Sequence, residues 1–369
     1  MTLDELRRHL DDLDERLLQI VADRQSTSRE IARVKRATGV PTRDFRRERE
    51  VILGARGRAE KVGVSPDLAE TFMRLLIRSS LTTQERASVS AHGVGTGQRA
   101  LVIGGAGKMG AWFAAFLSSQ GFQVEIADPQ PGSGGFEQIG DWAQSPLDHD
   151  YIVVAAPLGA TNEILQKLAA RKPRGVVLDL GSLKTPLRVG LNALSSAGVE
   201  VTSIHPMFGP NTELLSGRHV IFIDLGSALA LERARALFAP TMAEQVVMSL
   251  DEHDRLIAYV LGLSHALNIA FFTALAESGE AAPRLVRLSS TTFDAQFDIA
   301  SNVAEESPEL YFEIQRLNEF GAESLDALAR AVESVRSAVA SGDQARFTAL
   351  MRQGYEYVKG RRDSTERRI

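Results

Sequence analysis

Cysteine is absent from all 369 residues, which excludes disulfides, thiolate metal sites and cysteine nucleophiles. No metal is expected. A basic excess is missing as well: the formal net charge is −5, so nucleic acid is not an expected partner. No apolar run approaches the ~18 residues of a bilayer span, and Met1-Thr-Leu-Asp-Glu-Leu-Arg-Arg carries no apolar signal region. The expectation is therefore a soluble, cytoplasmic protein without membrane contact. No internal repeat is visible either. What is present is an ordinary globular hydrophobic content of 44%, in a chain long enough for two or three domains.

The segment Leu101-Val-Ile-Gly-Gly-Ala-Gly-Lys-Met-Gly110 reads as a buried strand running into a glycine-rich turn and a helix. Gly105, Gly107 and Gly110 spell G-x-G-x-x-G. In that pattern the first glycine permits a tight turn, the second lets a pyrophosphate approach, and the third lets helix pack on strand. The N–H groups that open the helix, at Lys108 and Met109, are then placed to receive phosphates. A second strand follows at Phe122–Ala127 and ends at Asp128, an acid suited to ribose hydroxyls and repelling a 2′-phosphate. NAD is expected over NADP.

Before this turn the chain is helical. Leu3, Leu6, Leu10, Leu13, Leu17 and Ile20 recur at spacings of three and four, continuing through Ile31 and Val34. That predicts one amphipathic helix over 2–38 whose coiled-coil-like seam needs a partner. Thr38-Gly39-Val40-Pro41 stops it. A second helix is expected over Arg46–Val62, and a third from Ser65-Pro66-Asp67 to about Arg86. Arg24 and Lys35, eleven positions apart, return to nearly one helix face about 16 Å along, so they can look into one pocket. Arg7, seventeen positions before Arg24, lies about 25 Å away on the same rod. It can share that pocket only from another copy of the chain.

Residues 3–86 resemble chorismate mutases of the all-helical, intertwined-dimer type. The likeness rests on L-R near the start, L-D-E-x-L-L at 13–18, P-x-R-D-x-x-R-E at 41–48 and S-x-x-x-Q at 80–84. It implies that Arg24, Arg47 and the partner's Arg7 bind the two carboxylates of chorismate. By the same likeness Lys35 and Gln84 hydrogen-bond the ether oxygen, Glu48 a hydroxyl, and Asp44 and Ser80 complete the lining. A Claisen rearrangement suits such residues, because it needs no nucleophile and no proton transfer. It needs a compact conformer and donors aimed at developing charge. Gln84 is neutral, so activity should not require acidic pH.

Residues 87–98 are small, polar and glycine-rich, and 91–98 are read as a linker. From Arg99 short apolar runs alternate with helical patterns. Strands are expected near 101–104, 123–127, 151–155, 176–180, 200–204 and 220–223, with helices near 108–119, 161–170, 185–196 and 228–239. This is a Rossmann-type, doubly wound, mostly parallel sheet over 99–250. Pro157 closes the third of these strands, where the nicotinamide half of a dinucleotide lies. Ligands sit beyond the carboxyl ends of such strands, so Ser182, Lys184 and His205 should converge.

Here the chain resembles prephenate dehydrogenases, through D-x-x-S-x-K at 179–184 and H-P-M-F-G-P at 205–210. A helical mutase followed by this enzyme is similar to the bifunctional chorismate mutase/prephenate dehydrogenases of tyrosine biosynthesis. The resemblance implies that His205 accepts a hydrogen bond from the substrate 4-hydroxyl as hydride leaves for the nicotinamide, with Ser182 helping to orient it. Imidazole suits that task because its proton affinity lies near working pH. Lys184, in the first turn of a helix, is more simply a solvated lysine.

Residues 251–369 return to helix, with a long apolar one from Glu252 through Phe272, and others near 284–303, 308–341 and 343–359. An all-α dimerisation and substrate domain is expected, giving a homodimer. His265 reads equally as a core histidine and, by resemblance, as a substrate-binding one. One departure stands out. Family members that use prephenate carry an arginine six residues before the proline of the segment matching Ser307-Pro-Glu-Leu-Tyr311, where this chain has Asn302. Eight positions earlier another arginine is replaced by Asp294. An amide cannot replace a bidentate ion pair. Three readings stay open: Arg284 or Arg287 reaches the same carboxylate; the substrate is the 4-amino analogue of prephenate; or the dehydrogenase half is a weakly active sensing or dimerising module.

Overall fold

The computed structural model describes residues 1–366, so the last three residues of the expected C-terminal domain lie outside the described residues. Two compact units emerge: one holds residues 1–156, 168–180 and 194–247, the other 157–167, 181–193 and the chain from 248 on.

The first unit opens with three helices. α1 (Leu3–Thr38) starts in a reciprocal cap, in which Glu5 N–H donates to the Thr2 hydroxyl and Thr2 N–H to the Glu5 carboxylate, and ends at Gly39 in the left-handed region. α2 (Phe45–Lys61) is capped by Asp44, and α3 (Pro66–His92) by Ser65 with proline in its first turn. Both α1 and α2 pack on α3. On α1 only Ser28 and Ala32 are buried, while Leu6, Leu10, Leu13 and Leu17 stay exposed, so one chain leaves the predicted seam open.

α3 continues to His92 rather than stopping near Arg86, and the expected linker is not slack. The small residues after Arg86 sustain a helix because Val89 has a core to join. Beyond it Gly95 donates its N–H to Gln120 O at 3.1 Å, and a Cβ there would strike the Phe122 ring at 2.2 Å.

The sheet strands are β1 (Arg99–Ile103), β2 (Gln123–Ala127), β3 (Glu137–Ile139), β4 (Tyr151–Val154), β5 (Val176–Asp179), β6 (Val201–Pro206), β7 (His219–Ile223) and β8 (Glu244–Met248). Their order is β3-β2-β1-β4-β5-β6-β7-β8, parallel from β3 through β6, with β7 antiparallel to β6. The edge strands β3 and β8 have no counterpart in the sequence reading, since three half-exposed residues and one mixed polar strand leave little apolar signal. The order reverses beside β1, at whose carboxyl end the glycine turn lies. Helices α4 (Lys108–Ser119), α5 (Leu158–Arg171), α6 (Arg188–Ser196) and α7 (Ala228–Phe238) intervene in sequence. The central strands are buried on both faces, which is why they read as unbroken apolar runs. Phe113, Phe116, Phe222 and Phe238 fill the core in tilted and edge-to-face contacts.

The second unit is mostly helical. α8 (Leu250–Ile257) passes through a π-turn at Ala258–Leu263 into α9 (Ser264–Glu277). By length and composition alone this 28-residue stretch could cross a membrane, contrary to the expectation that no run came near. Its apolar residues are interrupted by Ser264, His265, Asn268 and Thr273, and only the average over the window reveals them. Two helices expected as single are each broken. One divides into α10 (Ala282–Arg287) and α11 (Thr291–Ala304), because Ser290 caps a new start by accepting Phe293 N–H. The other divides into α12 (Pro308–Leu317) and α13 (Gly321–Ala340), because Asn318 turns its amide to the Asp254 and Phe320 backbones. α14 (Gln344–Glu366) ends the described chain.

Candidate active sites

In the first unit, the second half of α1, the start of α2 and the end of α3 surround a cavity of about 430 Å³. Seven of the eight residues expected in a mutase pocket line it: Arg24, Lys35, Asp44, Arg47, Glu48, Ser80 and Gln84. Arg7 is not among them; it lies exposed on α1, 3.6 Å from Asp4. Arg24 donates to Leu76 O at 2.8 Å and to the Ser80 hydroxyl, and burial lowers its pKa. Lys35 Nζ donates to Thr42 O at 2.6 Å. Asp44 also caps α2, accepting the Arg47 N–H at 3.0 Å. Gln84 donates to the Ser28 hydroxyl at 3.0 Å, while its buried Oε1 has no partner among the described residues.

One lining residue and one supporting contact were not singled out in the sequence. Ser28 is four residues after Arg24 and seven before Lys35, on the same face, so its spacing could have revealed it. Arg43 grips Glu48 with a fork, Nε to Oε1 at 2.9 Å and Nη2 to Oε2 at 3.1 Å. Nothing in the helical pattern pointed to it, because it lies in the turn before α2. Three cations against two carboxylates, one of them held by Arg43, suit a small dianion with a hydroxyl.

The glycine turn also belongs to the first unit. The left-handed residue is Gly104 (φ 84°), one position before the motif, so the tight turn assigned to Gly105 falls there instead. A Cβ on Gly105 would lie 2.6 Å from Ile126 Cβ, and one on Gly110 would lie 2.1 Å from Gly104 O. These glycines let strand, turn and helix meet. Gly107 starts α4 without any side-chain cap, which leaves the Lys108 and Met109 end of the helix able to receive an anion. Asp128 accepts Ala106 N–H at 3.1 Å and Gln130 N–H at 2.9 Å, which fixes its carboxylate beside the turn.

His205 lies on β6 opposite Ile221 and is 4% exposed. Ser182 and Lys184 fall in the second unit, as does Pro157, whose carbonyl accepts from Thr161 at the start of α5. Lys184 is fully buried, which corrects the expectation of a solvated lysine. The loop carries it inward because the Asp254 carboxylate gathers the Lys184 N–H at 3.0 Å, the Thr185 N–H at 2.6 Å and the Thr185 hydroxyl at 2.5 Å. Burial alone would raise the Asp254 pKa; the hydrogen bonds from His253 and Thr185 outweigh it and the net shift is downward.

On α9, His265 packs against Tyr311 with ring centroids 4.2 Å apart. Burial lowers its pKa to about 4, and its Nδ1 is enclosed without a partner among the described residues. It is therefore a neutral imidazole with a spare polar atom rather than a satisfied core histidine. Asn302 and Asp294 are exposed on α11; Arg284 is exposed on α10 and pairs with Glu280 at 2.8 Å.

Residues 6–85 match the family model for chorismate mutase type II, 119–247 that for the nucleotide-binding domain of prephenate dehydrogenase, and 249–353 that for its dimerization domain. The T-protein of Enterobacter agglomerans is 27% identical over 84% of this chain and 80% of its own. The chain belongs to the bifunctional chorismate mutase/prephenate dehydrogenase family. The dehydrogenase portion is also 28% identical to the 4-amino-4-deoxyprephenate dehydrogenase of Streptomyces pristinaespiralis, over 68% of this chain and 88% of that one. A solved prephenate dehydrogenase from A. aeolicus shares the fold, with TM-score 0.57 at 20% identity, covering 73% of this chain and 98% of that one. The match to the dehydrogenase's nucleotide-binding model begins at 119, after the glycine turn, so the turn of this dehydrogenase is read from its own geometry.

Proposed function

We propose that the enzyme converts chorismate to prephenate in the α1–α3 cavity and then oxidises prephenate, with NAD and loss of CO2, to 4-hydroxyphenylpyruvate for tyrosine synthesis. The observation that carries it is the gathering of Arg24, Lys35, Glu48 and Gln84 around one cavity in a chain whose remaining length matches the dehydrogenase domains.

In the mutase reaction Arg24 and Arg47 grip the carboxylates and draw the substrate into its compact conformer, which removes much of the entropic barrier. Lys35 and the Gln84 amide donate to the ether oxygen as negative charge grows there. Glu48, held by Arg43, accepts from the hydroxyl. Asp44 and Ser80 keep Arg47 and Arg24 in place. The chain acts as a homodimer; the open α1 seam and the match to a dimerization domain support this, and Arg7 then reaches the partner's cavity.

The uncapped start of α4 and the fixed Asp128 fit a dinucleotide, through Gly105, Gly107, Lys108, Met109 and Gly110 for the pyrophosphate and Asp128 for the ribose. NAD, when bound, would supply the hydride acceptor, and Pro157 is the residue the strand pattern assigns to its nicotinamide half. By the family resemblance His205 is assigned the hydrogen bond of the 4-hydroxyl, and Ser182 and His265 are each assigned to the substrate. Lys184 is the remaining residue assigned to the substrate. Restoring the aromatic ring as CO2 leaves makes the step one-way. A cytoplasmic location without membrane or nucleic-acid partners goes with this chemistry.

A second reading keeps both steps but takes 4-amino-4-deoxy substrates. Asn302 in place of an arginine and the similarity to the S. pristinaespiralis enzyme favour it. Chorismate consumption and NADH absorbance, followed with prephenate, arogenate and 4-amino-4-deoxyprephenate in turn, decide the matter. His205→Asn should abolish NADH formation and leave chorismate consumption intact; equal loss of both would contradict two separate sites.

A further inference from the structure

Behind the mutase cavity, and sharing Glu48 with it, lies a smaller cavity of about 260 Å³ between α2, α3 and the turn before β7. Four guanidinium side chains border it: Arg43, Arg74, Arg78 and Arg218. Its one lining carboxylate, Glu48, is already forked by Arg43. Arg74 is answered from outside by Glu70 at 2.6 Å. Among the described residues, no carboxylate pairs with Arg78 or Arg218. So two unanswered cations face a cavity in a protein whose net charge is −5.

Arg74, Arg78 and Arg218 are solvent-exposed, and like charges gathered around one concavity repel. An anion removes that repulsion. Planar guanidinium forks match the oxygens of phosphate or carboxylate, and the volume is below the roughly 300–1,000 Å³ of pockets for drug-sized ligands. We propose that this cavity is a binding site for a compact dianion, inorganic phosphate or a small dicarboxylate, separate from the mutase pocket. Its other polar group, the Ser216 hydroxyl, already accepts from Arg43 at 2.7 Å and can still donate to the anion.

Calorimetric titration of the full chain at low ionic strength tests this, with inorganic phosphate in one arm and malonate in the other. Binding of at least one anion should weaken by about tenfold or more in the pair Arg78→Ala/Arg218→Ala, as loss of charge-assisted hydrogen bonds requires. The same binding should persist in Arg24→Ala/Lys35→Ala, which alters the mutase pocket instead. Whichever arm responds names the source. Heat unchanged by the first pair, lost only with the second pair, or absent with both anions overturns the site. A melting curve checks that each variant folds, and Arg78→Gln/Arg218→Gln replaces the alanine pair should it not.

Discussion

The buried carboxylate of Glu85 accepts the Leu215 N–H at 2.7 Å and, through its other oxygen, the Met242 N–H at 2.6 Å. Glu85 follows Gln84 directly on α3, and Leu215 lies on the segment that runs from His205 to β7. One side chain thus joins the mutase's helix to the dehydrogenase's nucleotide-binding half. Because an amide offers only one accepting oxygen, Glu85→Gln should cost about 1–3 kcal/mol in denaturant unfolding. Burial raises the Glu85 pKa, although the Leu215 and Met242 N–H groups pull it back. A raised carboxyl contributes stability that is present at low pH and is lost as pH rises through the raised value. The cost of Glu85→Gln should therefore shrink as pH rises above the ordinary carboxylate range. A cost that grows with pH would contradict this.

Lys35→Ala and Gln84→Ala each remove a donor that the proposed mechanism assigns to the ether oxygen. Mutase turnover should fall by about 10²–10³ in either variant. NADH formation from added prephenate should stay near the wild-type rate, since neither residue belongs to the dehydrogenase. A matching loss in both assays would point to a folding defect instead.

His265, with its pKa lowered to about 4, is neutral across the working range. Its replacement by Ala should raise KM for the dehydrogenase substrate without moving the pH profile between about 5 and 8, where an ordinary histidine titrates. On stability the sign is fixed: the unfolded imidazole takes up a proton before the folded one does, so stability falls as pH drops from the usual histidine range toward about 4. Thermal melts of His265→Ala should lack that part of the fall.

Gly110→Ala places a Cβ 2.1 Å from Gly104 O, where no flexible atom can yield. The start of α4 must move. NAD binding, followed by quenching of the protein's tryptophan fluorescence, should be lost, and the fold should weaken by more than about 2 kcal/mol. Gly107→Ala, with its nearest atom at 3.3 Å, should fold normally and lose only affinity.

Sequence periodicity determined the three leading helices, the apolar inner strands and the glycine turn, because each is specified by neighbours within a few residues. The spacing of Arg24 and Lys35 on one rod was legible for the same reason. The fate of side chains in turns was not. Arg43 became Glu48's partner, and Lys184 was drawn inside by Asp254, through contacts with residues 5 and 70 positions distant. Likewise α3 ran past Arg86 to His92 because Val89 had a core within reach. Local pattern fixes which face of an element is apolar or charged; only tertiary packing fixes what that face meets, since the energies of burial and of long-range hydrogen bonds depend on partners that the chain brings together by folding.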